Sequence, residues 1–210
     1  MIVIADYGRG NLFSIAQALR HLGLDYELSD DPARLRSAER LILPGVGSFH
    51  DAMHGLRERA MDSALVDAVS SGTPLLGICV GCQLLMQSGE EFGHHQGLGI
   101  IPGAVKRLAA PQTADQQAVR IPNVGWRPLE LIANGPGLDG VTSGQAMYFV
   151  HSFAPRPIHA EHVGARIRVN GEDVPAAIRH GNVLGVQFHP EKSGAAGLGL
   201  IRDFFEHRFS

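Results

Sequence analysis

Cys79 sits in the segment Gly77-Ile78-Cys79-Val80-Gly81, directly after the apolar run Pro74-Leu75-Leu76. A nucleophile bounded by glycines at a strand-to-helix turn forms a nucleophile elbow, whose tight backbone tolerates only small neighbours. A helix N-terminus adds free N–H groups and the positive end of the peptide dipole, and both favour a thiolate. With serine such a turn points to a hydrolase; with cysteine it points to thiol acyl transfer. Two other readings fit the same residues. Cys79-Val80-Gly81-Cys82 is also the C-x-x-C spacing of redox dithiols, and a cysteine in a glycine-bounded turn also serves as an inert small apolar residue.

A cysteine nucleophile needs a base, and the base needs an orienting group. Gly185-Val186-Gln187-Phe188-His189-Pro190-Glu191 offers both. In an extended segment residues i and i+2 project to one side, and Pro190 stiffens the link between His189 and Glu191. A redox reading leaves these two without a task. Acyl transfer also needs main-chain N–H groups aimed at the tetrahedral oxyanion. Leu43-Pro44-Gly45-Val46-Gly47-Ser48-Phe49 suits that role, because Gly45 and Gly47 put no Cβ in the way. An ordinary strand-to-helix turn would look the same, and no lysine follows to make a phosphate loop.

The elements that must position these groups are legible as patterns. Residues 2–5 form an apolar run, and a turn at Tyr7-Gly8-Arg9-Gly10 leads to Asn11 as a helix N-cap. Leu12, Ile15, Ala16, Leu19 and Leu22 follow at helical spacing, with Gly23 as the C-cap. Strands are expected over 25–29, 40–43 and 73–77, with helices over 49–57 and 61–69 and another starting at Cys79. Such alternation predicts a parallel sheet covered on both faces. The second half is strand-rich, with runs at 104–108, 117–121, 147–153, 162–169, 174–179 and 182–188. Gly181-Asn182 predicts a hairpin. Residues 109–117 read as an exposed loop, and 198–209 as a closing helix. The expectation is a single α/β domain over residues 1–210, with a mixed, largely parallel central sheet.

Composition narrows the function further. Eighteen Lys and Arg against 21 Asp and Glu give a formal net charge of −3, without the positive excess of a nucleic-acid-binding surface. The eleven histidines form no metal-ligand tract, and two cysteines three positions apart make no secreted disulfide framework. Neither a long apolar span nor a basic leader is evident, so no membrane association and a cytoplasmic location are expected.

Taken in this order, the three motifs resemble the class I (triad) glutamine amidotransferase family. They are Pro44-Gly45-Val46-Gly47, the elbow continued through Gln83-Leu84-Leu85, and Val186-Gln187-Phe188-His189-Pro190-Glu191-Lys192-Ser193. The resemblance implies a flavodoxin-like fold and hydrolysis of L-glutamine without a cofactor or metal. By motif position, Cys79 is the nucleophile, His189 the base and later acid, and Glu191 the orienter. Gly47 and Val80 supply oxyanion donors. Gln83, Glu91 and the main chain at His151, Ser152 and Phe153 hold the glutamine head group. The segments Asp6-Tyr7-Gly8 with Gly10-Asn11-Leu12, Pro122 with Gly125-Trp126, and Tyr148-Phe149-Val150-His151-Ser152 are similar to those of free-standing glutaminase subunits. Such subunits pass ammonia to a separate (β/α)8-barrel cyclase in histidine biosynthesis, as a heterodimer. Asn11, Trp126, Tyr148 and Lys192 fall where that partner is met. The Val46–Gly47 peptide is expected to switch its N–H toward or away from the oxyanion. Cys82, Asn123, Arg127 and Phe13 depart from the family's common residues, and the last three are expected near the partner face. That leaves room for a subunit feeding a different synthase, such as one forming a surface-sugar amidine. A cysteine peptidase of the same elbow fold would need neither Gln83 nor Glu91.

Overall fold

The computed structural model describes residues 1–111 and 119–207. The chain runs β1 (Ile2–Ala5), α1 (Leu12–Leu22), β2 (Tyr26–Ser29), α2 (Pro32–Arg36), β3 (Arg40–Leu43), α3 (Phe49–Glu58), α4 (Met61–Ser70), β4 (Leu75–Ile78) and α5 (Val80–Leu84). Then come β5 (Met86–Gly89), β6 (His95–Gln96), β7 (Ile101–Arg107), β8 (Asn123–Pro128), β9 (Glu130–Leu131), β10 (Ala146–His151) and β11 (Phe153–Pro157). β12 (Val163–Val169), β13 (Glu172–His180), β14 (Val183–Val186) and α6 (Gly194–Glu206) complete it.

The main sheet has the order β2-β1-β3-β4-β14-β13-β12-β9. Its first five strands are parallel, and the pairs from β14 to β9 are antiparallel. Every residue of β1, β4 and β14 is buried. Strands alternate sides at every residue, so both faces of the sheet are covered there, as the βα alternation predicts. β14 is the link that matters for chemistry. It enters from the C-terminal half through the hairpin at Gly181 and Asn182 and pairs in parallel with β4, setting Val186 beside Ile78. The ends of two strands far apart in sequence therefore open onto one place. Among the described residues, no helix is long and apolar enough to cross a membrane.

Several elements differ from the sequence reading, each for a physical reason. The run expected over 147–153 is broken at Ser152: β10 pairs with β8 in a two-stranded sheet, and β11 pairs with β7 in a four-stranded one. Sequence alternation carries no information on pairing partners. α2 was hidden by its five-residue length, although Asp31 caps it through Ala33 N–H at 2.8 Å and Pro32 occupies its first turn. Asn11 occupies the N-cap position of α1 as expected, but its side chain makes no capping bond and donates to Glu191 Oε1 at 3.3 Å instead. Gly23 does end α1, in the left-handed region at φ 70°. The closing helix begins earlier than expected, at Gly194, and residues 208 and 209 lie outside the described residues. Residues 119–121 form no strand; 117 and 118, and most of the expected loop over 109–117, lie outside the described residues.

Candidate active site

Cys79 occupies the turn between β4 and α5 at φ 56° and ψ −111°, a backbone conformation that L-residues avoid. Holding a non-glycine residue there costs on the order of 1–3 kcal/mol, and the surroundings must enforce it. They do so from both sides. The Cys79 N–H donates to Val186 O at 2.8 Å, continuing the β4–β14 ladder, and the Cys79 carbonyl accepts from Cys82 N–H at 3.1 Å. The loop after β3 presses on the other side. A Cβ at Gly45 would lie 2.5 Å from Gly81 N, and one at Gly81 would lie 1.9 Å from Leu43 O. Only bare backbone fits between these segments. Gly47 is required for a different reason, its φ of 88°.

His189 follows β14 and is anchored by its own N–H to Tyr148 O at 2.9 Å. Its Nδ1 lies 2.9 Å from Glu191 Oε1. The expected extended link is absent: Pro190–Lys192 is a turn of 3-10 helix, and this turn brings the carboxylate back under the imidazole. Ser193 pins the turn, donating to His189 O at 2.6 Å and accepting from Tyr148 N–H at 3.0 Å. The Cys79 thiol points at the Val150 carbonyl oxygen, 4.0 Å away, and its sulfur acts on the His189 ring electrostatically. Burial alone would lower its pKa, but the Cys79 sulfur and the Glu191 carboxylate outweigh it and push the pKa up to about 10. Tyr7, buried with its hydroxyl on Pro44 O at 2.8 Å, titrates later than usual because of burial and then the neighbouring Cys79 charge. Both cysteines are free thiols, and burial raises the Cys82 thiol well above its ordinary range.

A cavity of about 240 Å³ opens at Cys79. Gly47, Val80, Gln83, Glu91, His151, Ser152 and Phe153 line it, together with Pro122 and Val150, to which the sequence reading gave no role in binding. Val150 arrives there through the pairing of β10 with β8, and Pro122 directly precedes β8. Gln83 Nε2 donates to Phe153 O and to Gln187 Oε1, each at 3.0 Å. Glu91 Oε2 accepts the Phe49 N–H at the start of α3 at 2.8 Å. A larger cavity of about 440 Å³ lies among His162, Arg179 and Phe204 and has no cysteine, serine or threonine on its walls.

The residues expected at a partner face divide. Trp126 and Tyr148 sit opposite each other on β8 and β10, with ring centroids 5.9 Å apart and Trp126 54% exposed. Lys192 and Phe13 are exposed. Asn11 is only half-exposed and is engaged with Glu191. Asn123 does not belong to any surface: it is fully buried beneath His151.

A family model described as glutamine amidotransferase class-I matches residues 3–207. The chain is 47% identical over 204 residues to the imidazole glycerol phosphate synthase subunit HisH of a Geobacillus species, covering 97% of this chain and 95% of that one. It is 42% identical over 204 residues to the protein of the same description from Syntrophotalea carbinolica, covering 97% and 98%. A crystal structure described as a glutamine amidotransferase superposes with a TM-score of 0.73 over 98% of each chain at 22% identity, which speaks to the fold.

Proposed function

The chain belongs to the class-I glutamine amidotransferase family, and on that premise we propose that it is the glutaminase subunit of imidazole glycerol phosphate synthase. It hydrolyses L-glutamine to glutamate and ammonia in the cytoplasm. The observation that carries the reading is the His189–Glu191 pair at 2.9 Å beside a strained Cys79 on the wall of a substrate-sized cavity.

Cys79, as thiolate, attacks the side-chain amide carbon of glutamine. The developing oxyanion is met by the main-chain N–H groups of Gly47 and Val80. His189, held charged by its two neighbours, gives its proton to the leaving nitrogen; the C–N bond breaks, and a glutamyl thioester and ammonia result. His189 then takes a proton from water, the hydroxide adds, and the C–S bond breaks to release glutamate. Glu191 orients the imidazole throughout. Gln83, Glu91 and the main chain at His151, Ser152 and Phe153 bind the amino-acid head group. Ammonia passes to a (β/α)8-barrel cyclase subunit, in a heterodimer whose contacts include Asn11, Trp126, Tyr148 and Lys192. The Val46–Gly47 peptide keeps the isolated subunit nearly silent by turning its N–H away from the oxyanion; losing one such donor costs about 10²–10³ in rate.

The test is Cys79→Ala in the complex with the cyclase. Glutamine-dependent product formation is abolished and ammonia-dependent formation persists; glutamine turnover in that variant would overturn the assignment. Cys82→Ser leaves turnover largely unchanged, whereas a comparable loss there would favour dithiol chemistry.

A further inference from the structure

Asn123 is fully buried, and its side chain meets two neighbours. Its Oδ1 accepts the Arg127 Nε–H at 2.9 Å, and its Nδ2 lies 2.9 Å from His151 Nε2. Guanidinium only donates, so the oxygen of Asn123 must face Arg127 and its amide nitrogen must face the imidazole. On the other side of the ring, His151 Nδ1 lies 2.9 Å from the carbonyl oxygen of Phe153, which only accepts. The proton of His151 is therefore on Nδ1, and Nε2 is bare and accepts from Asn123. The Phe153 carbonyl also receives Gln83 Nε2 at 3.0 Å. His151, Phe153 and Gln83 all line the cavity at Cys79. They converge on the Phe153 carbonyl, just past Ser152, where the chain passes from β10 into β11.

We propose that Asn123, turned by Arg127, is a positioning residue for this cavity: it fixes the Nδ1–H tautomer of His151 and, through it, the Phe153 carbonyl at the rim where glutamine is held. The substrate named here rests on the glutaminase reading; the tautomer does not. The surroundings favour a neutral ring. Burial pushes the His151 pKa down to about 4, the Phe153 carbonyl opposes this, and the charges of Arg156, Arg127 and His189 reinforce it.

Asn123→Asp tests the assignment. Aspartate still accepts from Arg127 but has no N–H for Nε2. The charges acting on His151 are then the introduced carboxylate, Arg156, Arg127 and His189, and the adjacent carboxylate favours the cation. At low pH the cation donates from both nitrogens, and the Phe153 contact survives. As pH rises, the ring keeps Nε2–H against the carboxylate and gives up the Nδ1 proton, so Phe153 loses its donor. In the complex, KM for glutamine therefore matches wild type near pH 6 and rises about tenfold relative to wild type toward pH 9, with kcat following wild type throughout. A merely structural defect would raise KM at every pH. The second measurement is the histidine ¹⁵N spectrum of the full-length wild-type chain near pH 7, with His151 assigned by loss of its signals in His151→Gln. Protonated Nδ1 and bare Nε2 are expected. The opposite tautomer, a doubly protonated ring, or a pH-independent KM ratio in a folded Asn123→Asp would overturn the proposal. The spectrum needs no turnover and no altered chain. It decides if the variant does not fold, and it separates failure here from failure of the glutaminase reading.

Discussion

The carbonyl oxygen of Leu43 and the Cα of Gly81 approach so closely that a Cβ at position 81 would stand 1.9 Å from the oxygen. This contact joins the end of β3 to the first turn of α5, and so holds the Gly45–Gly47 loop against the cysteine elbow. Backbone, rather than a flexible side chain, is the obstacle, so relief requires the loop or the helix to move.

Gly81→Ala is therefore expected to destabilise by at least about 1–3 kcal/mol, the usual range for overpacking. For a chain of this size that lowers Tm by about 2–4 °C per kcal/mol. Glutamine turnover falls too, because the loop carrying Gly47 is displaced from Cys79. Gly199→Ala supplies the contrast. Gly199 lies in α6 on the surface, and a Cβ there meets nothing within 4 Å. Alanine at 199 is expected to stabilise by about 0.5–1 kcal/mol with turnover unchanged. Thermal unfolding and a glutaminase assay of both variants check the pair.

Glu191→Gln keeps an oxygen able to accept from His189 Nδ1 and removes the charge. The glutamine-dependent kcat is expected to fall by roughly 10²-fold, the low end of the range for general acid–base contributions. His189 loses one of the two groups that raise its pKa, so the alkaline limb of the rate profile moves to lower pH. A pH–rate profile of the complex, run beside wild type, shows the shift; an unmoved limb would remove Glu191 from its assigned task.

Two histidines should shape stability against pH in opposite directions. The folded pKa of His189 is raised from 6.5 to about 10, so its contribution is present below 6.5 and is lost as pH climbs toward 10. His151 is lowered from 6.5 to about 4. Between those values the unfolded chain binds a proton that the folded chain refuses, so stability falls as pH drops from 6.5 toward 4. From these two groups stability is greatest near pH 6.5. Urea midpoints across the range check this. His151→Gln flattens the acid slope, and His189→Gln flattens the alkaline one.

Which chemistry was available, and where the local turns fall, could be read from the residues alone. Cys79 between small residues after an apolar run, the bend at Gly45 and Gly47, and the pair His189 and Glu191 are readable because their constraints act within a few residues. The same holds for β1, for α1 with its Gly23 stop, and for the hairpin at Gly181 and Asn182, which propensity and turn chemistry set locally. The family resemblance rests on those segments as well. What meets what was settled in three dimensions. β14 pairs with β4 and so carries His189 to Cys79 across more than a hundred residues, and the break at Ser152 sends β10 and β11 to different sheets. Those choices are made by long-range backbone pairing, to which a short window of sequence is blind. Asn123 shows the consequence. By position it belonged with a partner surface, yet the β8–β10 register places it inside, opposite His151, where it meets a partner nearly thirty residues away.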